Sequence, residues 1–178
     1  MERQEQREHL VGTSRLSETI RLSNTHLVQC FDSNGQLKWS EKVPNLVTDE
    51  GAMWLLDSGF GAPVGHDWFC GLTQSGAISA NDTMDSHDWA EFTGTTHNNR
   101  PLLEFKEHEP KTRAETYISE KAQFVVHQAG TITGSFMTTD TVIGGTLGLL
   151  YGVTLFPNPQ PVVQGDAVYV IIILGSKS

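Results

Sequence analysis

With 178 residues, the chain is long enough for one domain that buries roughly two-thirds of its unfolded surface. A hydrophobic content of 38%, with 17 Gly and 7 Pro, excludes a disordered chain and suits a β-rich one. A formal net charge of −9 repels phosphate backbones and anionic lipid, which argues against nucleic acid and membrane as partners.

That charge is uneven. Residues 121–178 hold only Lys121, Asp140, Asp166 and Lys177, which cancel, so residues 1–120 carry all of it. An uncharged final third is expected to be buried in a core or covered by partners. Met1 to His9 is polar and charged, unlike a signal peptide, and the longest apolar run, Ala167 to Leu174, is far shorter than the ~20 residues of a membrane helix. The chain reads as soluble and cytoplasmically made.

In chain order, residues 1–25 carry Leu10, Leu16, Ile20 and Leu22 without a clean period. They read as a flexible N-terminal arm, or one short helix, able to order on a neighbouring subunit. A single β-rich domain, 26–178, is expected to follow. His26 to Phe31 and Gln36 to Val43 flank Asp-Ser-Asn-Gly, a hairpin in which Asn34-Gly35 supplies the positive-φ turn. Pro44 ends the second strand. Thr48 or Asp49 caps a short helix with Asp49 and Glu50 in its first turn; Met53, Leu55, Leu56 and Phe60 give it apolar faces, and Gly59 and Gly61 stop it.

Trp68 to Thr73 reads as a buried strand, and Ser79 to Trp89 as a polar loop with a helical turn near Asp85 to Trp89. Arg100-Pro101 opens an extended stretch to Phe105, followed by a charged segment, Lys106 to Glu115. Short strands are expected at Gln123 to His127, Thr131 to Thr138, Leu147 to Thr154 and Ala167 to Leu174. Pro157, Pro159 and Pro161 read as a stiff connection before the last of these. Val168 to Leu174 is uncharged and strongly β-favouring, so it is tolerable only at the centre of a sheet or under a neighbour. The fold class is therefore mainly β: a β-sandwich or jelly roll with one or two short helices and the N-terminal arm.

Phosphate loops, dinucleotide fingerprints, zinc-protease motifs and nucleophile elbows are absent from the sequence. Asp82, Asp85, His87 and Asp88, with Asn81 and Glu91, offer oxygen ligands for Ca²⁺, but their spacing departs from an EF-hand loop, and capping and turn roles are the plainer reading. His9, His26, His66, His87, His97, His108 and His127 do not pair at ligand spacing. Cys30 and Cys70 are too few for a disulfide framework or a metal set, and each sits in an apolar run as a small buried hydrophobe. A catalytic His assembled beside either Cys is the competing reading. Of Trp39, Trp54, Trp68 and Trp89, the first and third lie among apolar neighbours as core residues, whereas Trp89, in a polar loop, is the candidate platform for a sugar. No catalytic, cofactor-binding or metal-binding residue is assigned.

Four stretches, in order, carry a resemblance. They are Cys30 to Trp39 (CFDSNGQLKW); Asn45 to Gly51 (NLVTDEG) running into Leu55-Leu56-Asp57; Gly71-Leu72 with Asn81 to His87 (NDTMDSH) and Trp89 to Phe92 (WAEF); and Gly130 to Phe136 (GTITGSF) with Gly145 to Gly148 and Val163 to Asp166. This order resembles a group of tailed-bacteriophage virion structural proteins, over about residues 27–174. Some small proteins of this general kind are capsid decoration, or cement, proteins with jelly-roll folds. The resemblance implies a homo-oligomer that binds the major capsid protein on the head exterior, with no enzyme activity and no site residues to carry over. A tail or baseplate component is the alternative within the virion, and a carbohydrate-binding module using Trp89 and the Asp82–Asp88 loop is the alternative outside it.

Overall fold

Strand patterning at the two ends of the sequence closes the fold. The computed structural model describes residues 21–61, 65–112 and 115–177. Strand β1, Arg21–Phe31, buries Asn24, His26, Val28 and Cys30, and β11, Ala167–Lys177, buries Val168, Val170 and Ile172. The two are antiparallel along their whole length, from Arg21 opposite Lys177 to Phe31 opposite Ala167. Residues 21–25, expected within the arm, are part of β1, because Leu22 to Thr25 have partners on β11. Residues 1–20 of the expected arm lie outside the described residues.

Strand β2, Leu37–Pro44, returns along the other edge of β1. The turn differs in detail from the expectation. Gly35 alone takes a positive φ, of 77°. Asp32 Oδ1 accepts from the amides of Asn34 and Gln36, both at 2.9 Å, so an Asp side chain closes the turn that Asn34 was expected to shape.

The first sheet has β11 near its centre. Short strands β7, Tyr117–Ser119, and β8, Ala122–Val125, pair with successive stretches of its far edge, and β6, Phe105–Glu107, lies outside β7. The aggregation-prone run Val168 to Leu174 is therefore hydrogen-bonded on both edges, as its composition requires. In the second sheet the order is β3 (Leu46–Val47), β10 (Leu150–Val162), β9 (Gly130–Thr138), β4 (Phe69–Gly76) and β5 (Trp89–Glu91). Cys30, Val28, Val170 and Ile172 from one sheet meet Cys70, Leu72, Ile132, Met137 and Phe156 from the other in one core. The molecule is a mainly β sandwich of two antiparallel sheets.

Three expectations are revised. Pro157, Pro159 and Pro161 are not a connection but the second half of β10. Pro161 tolerates strand geometry because β10 is next to the sheet edge there, and its carbonyl accepts from Trp39 Nε1 of the facing sheet at 3.2 Å. Residues 147–149 precede β10 as loop, and Asp85 to Trp89 is not helical: Thr83 and Ser86 pair across a tight turn. Strands β5, β6 and β7 were not expected, being only three residues each and lacking any run to mark them.

A buried histidine links the two sheets. His26, fully buried, places Nδ1 2.7 Å from Ser135 Oγ of the opposite sheet, and burial pushes its pKa down from 6.5 to about 3. Between those values the unfolded chain binds a proton that the folded chain refuses. The neutral imidazole's contribution is therefore complete above about pH 6.5 and is lost as the pH falls toward 3. We expect a loss of about 2 kcal/mol between pH 7 and pH 5 from this residue. Urea midpoints at the two pH values check it: His26→Asn should be less pH-sensitive than the parent by that amount, and equal sensitivity would refute it.

Helix α1, Asp49–Phe60, packs across β10 at one end of the sandwich. Thr48 caps it, accepting from the Gly51 amide at 3.1 Å while donating to the Leu150 carbonyl at 2.5 Å. Glu50 accepts from the Leu150 amide at 3.0 Å. Gly51 is required by this closeness, since a Cβ there would overlap the Tyr151 backbone. Thr48→Ala removes the cap and a buried cross-tie together; a loss of about 1–2 kcal/mol is expected in chemical denaturation.

Candidate interaction surface

The residues singled out for chemistry lie in a cover over the outer face of the second sheet. On that face Phe136, Leu150 and Val153 form a small apolar layer with Met84 and Trp89 of the covering loop. Trp89 is buried, contrary to the expectation of an exposed platform. Its indole is stacked by His87 at 3.7 Å between centroids and meets Phe136 at 4.7 Å, leaving no open ring face for a sugar. Asp82 is buried too, and one carboxylate oxygen accepts from Trp89 Nε1 at 3.1 Å and from the Ser79 amide at 3.0 Å. Asp85 accepts from the Thr83 hydroxyl at 2.7 Å, and Asn81, Asp85 and Asp88 are exposed. The run of acids thus serves turn and capping geometry. Among the described residues, no three His, Cys, Asp or Glu side chains converge to hold a metal ion.

Glu91 belongs to a different device. Its carboxylate receives Arg100 in a fork, Nε at 2.9 Å and Nη2 at 3.0 Å, and also accepts from the Gly144 amide at 2.6 Å. The same guanidinium donates to the carbonyls of Asp140 (2.8 Å) and Gly145 (3.0 Å) and lies 5.2 Å from the Phe136 ring centroid. Arg100 is only 2% exposed. One buried cation therefore pins the glycine-rich loop 139–149 to the segment 91–100 and fixes how that loop is displayed. Sequence reading missed this role, for Arg100 stood only as the start of an extended stretch; an isolated Arg before Pro101 in a stretch otherwise free of cations was the available signal.

The remaining candidates are dispersed. His66 lies against Trp54 and Trp68, His97 meets Phe124 edge-on, His108 is 3.5 Å from Glu115, and His127 is exposed; His9 lies outside the described residues. Cys30 and Cys70 are buried free thiols, and burial raises both pKa values, that of Cys30 to about 12. Trp39 packs on Phe156, and Trp54, Trp68 and Tyr151 form an edge-to-face cluster beneath α1.

What the structure does assemble is an apolar surface. α1 turns Trp54 toward the body but leaves Met53 65%, Leu56 59% and Phe60 90% exposed, at the i, i+3, i+7 spacing of one helical stripe. Beside the stripe an open groove of about 380 Å³ runs between Met53, Trp54 and Leu149, with Glu50 and Asp57 on its rim. The pinned loop reaches the same groove through Leu149. Thr48, Glu50 and the Arg100 fork hold both contributors in place, so the surface is formed in advance of any partner. α1 carries Asp49, Glu50 and Asp57 and no basic residue, which makes the surface apolar with acidic flanks.

No family model matches this chain, and no curated protein or solved structure matches it either. No helix among the described residues is long and apolar enough to cross a membrane.

Proposed function

We propose that this chain is a structural protein of a tailed-phage virion, a decoration or cement protein that binds the outer head shell as an oligomer. Its partners on this reading are the major capsid protein and further copies of itself, and its action is to contribute binding surface without turnover. The observation that carries the reading is the braced apolar stripe Met53, Leu56 and Phe60, with the groove lined by Leu149 beside it. Large exposed apolar groups clustered on a rigid frame mark protein contact sites, and a shell lattice multiplies weak contacts of this kind through symmetry. A net charge of −9 supports a position outside the shell, away from packaged DNA. The resemblance over residues 27–174 points the same way.

Co-sedimentation tests the proposal. The purified protein, mixed with DNA-filled phage heads lacking it, should pellet with them in near-stoichiometric amount and resist raised salt, because the contact is apolar. Leu56→Ser with Phe60→Ser should weaken binding at least tenfold while leaving the folded circular dichroism spectrum unchanged. Binding to isolated tails in place of heads would move the protein to the tail or baseplate; binding to neither would end the proposal.

A further inference from the structure

We infer that copies of this chain join head to tail, with Phe60 of one copy seated in the groove beside Phe31 and Tyr169 of the next. The inference rests on the assembly reading above and assigns its contact between copies.

The two halves of this contact stand at opposite ends of the sandwich. At one end Phe60 closes α1 and, at 90% exposed, is the most exposed large apolar side chain among the described residues. α1 lies beside the start of β1, for Leu55 shares a groove with Leu22 and Leu174. At the far end of β1, Phe31, Val125, Ala167 and Tyr169 line an open groove of about 500 Å³, together with Asp32 and Lys121. Leu22 and Phe31 are roughly 30 Å apart along one continuous strand, at about 3.3 Å per residue. The helix advances only about 7–8 Å from Leu55 to Phe60. Phe60 therefore cannot fill the groove of its own chain, and the contact exists only between copies.

The groove suits this occupant. Phe31 and Tyr169 stand edge to face at 5.6 Å between ring centroids, a wall on which a third ring packs in the same geometry. Asp57 is exposed one turn before Phe60 on the same side of α1. Lys121, the cation of the groove, pairs with no carboxylate among the described residues and lies 5.7 Å from the Tyr169 ring centroid. Asp32, its acid, is turned to the amides of Asn34 and Gln36. Seating Phe60 thus brings Asp57 to Lys121.

Charge orients the copies the same way. Among the described residues the exposed lysines, Lys38, Lys42, Lys106, Lys111 and Lys121, all lie on the first sheet or its connections. α1, the second sheet and its cover hold no Lys, and their one Arg is the buried Arg100. A two-fold pairing of α1 with its counterpart would set Asp49, Glu50 and Asp57 against themselves with no cation on either helix. The α1 end of one copy against the first-sheet groove of another joins unlike charge. Repeated, such a contact closes a ring or extends a string.

Disulfide trapping and light scattering on full-length chains test this. Cys30 and Cys70 are buried, so introduced thiols report alone. Phe60→Cys in one chain and Ser33→Cys, at the groove, in a second, larger-tagged chain should give a mixed disulfide on mild oxidation; Phe60→Cys with Ser75→Cys on the other sheet should not. Light scattering of the unmodified protein should report more than one copy, and Phe60→Ser should weaken that association at least tenfold. Asp57→Lys should weaken it about fivefold or more, and Lys121→Asp added to Asp57→Lys should restore it, which a loss of folding would not do. Association undiminished in Phe60→Ser, or a Ser33→Cys, Phe60→Cys double variant that closes its disulfide within one chain, would overturn the inference. A single-copy protein that still pellets with heads would overturn it while leaving the head reading intact. Head-to-tail association without head binding would do the reverse.

Discussion

Replacing Arg100 with Met is expected to cost about 3–5 kcal/mol of stability, the range found when one partner of a buried ion pair is removed. Arg100 and Glu91 are nearly water-free, and the guanidinium also satisfies the carbonyls of Asp140 and Gly145. Removing the cation strands the Glu91 carboxylate, left with the Gly144 amide, and also uncovers the Asp140 carboxylate 3.4 Å from the guanidinium. The companion change Glu91→Gln removes one of the two stranded charges while keeping an acceptor for Gly144. The double variant should therefore lie closer to the parent than Arg100→Met does. Urea denaturation of all four proteins measures the coupling. A loss below about 1 kcal/mol in Arg100→Met would show that the pair behaves as a surface salt bridge and does not pin the loop.

Phe136→Ala should be comparably damaging, at about 3–5 kcal/mol for a buried Phe truncated to Ala. Phe136 is fully buried on the outer face of the second sheet, meets the Trp89 indole and lies close to the Arg100 guanidinium. Its ring also fills the space above Gly71, where a Cβ would overlap it. Truncation empties the centre of the layer that seats the 77–89 cover, so Trp89 fluorescence should shift to the red in the folded protein as water reaches the indole. Gly71→Ala approaches the same contact from the other side and should destabilise by overpacking, about 1–3 kcal/mol. A blue-shifted, unchanged Trp89 spectrum in Phe136→Ala would contradict the account of the cover.

Both predictions concern the outer face, where the sequence was least informative. The last strand, the hairpin and the capped helix were legible because each carries a local code: the uncharged β-favouring run Val168 to Leu174, alternation at Leu37, Lys38 and Trp39 beside Asn-Gly, and Thr-Asp-Glu before an apolar run, whereas the pairing of β1 with β11 follows only from the fold. The second sheet's outer face has no such code. Its cover is built from polar-looking sequence, Ser79 to Trp89, and only the fold reveals that Met84 and Trp89 point into a layer completed by residues 136, 150 and 153. Trp89 looked exposed because its neighbours in sequence are acidic, whereas Asp82 is buried with it as the acceptor for its N–H. The proline-rich half of β10 was misread for a similar reason. Proline was taken to break a strand, yet Pro161 stands near a sheet margin, where its missing donor costs little. The stripe on α1 was half legible: Met53, Leu56 and Phe60 were recognisable as apolar, but their direction away from the body follows only from Gly51 resting on Tyr151, which sets the rotation of the helix.

The central claim is that this protein works by occupying a place in a particle through a preformed apolar surface. Cryo-microscopy of purified virions tests it most directly. The account predicts density fitting this sandwich at symmetry-related positions on the outer head, with the exposed stripe of α1 turned into contacts. Particles that carry the protein on the tail, or not at all, together with a purified single-copy form that converts a substrate, would contradict it.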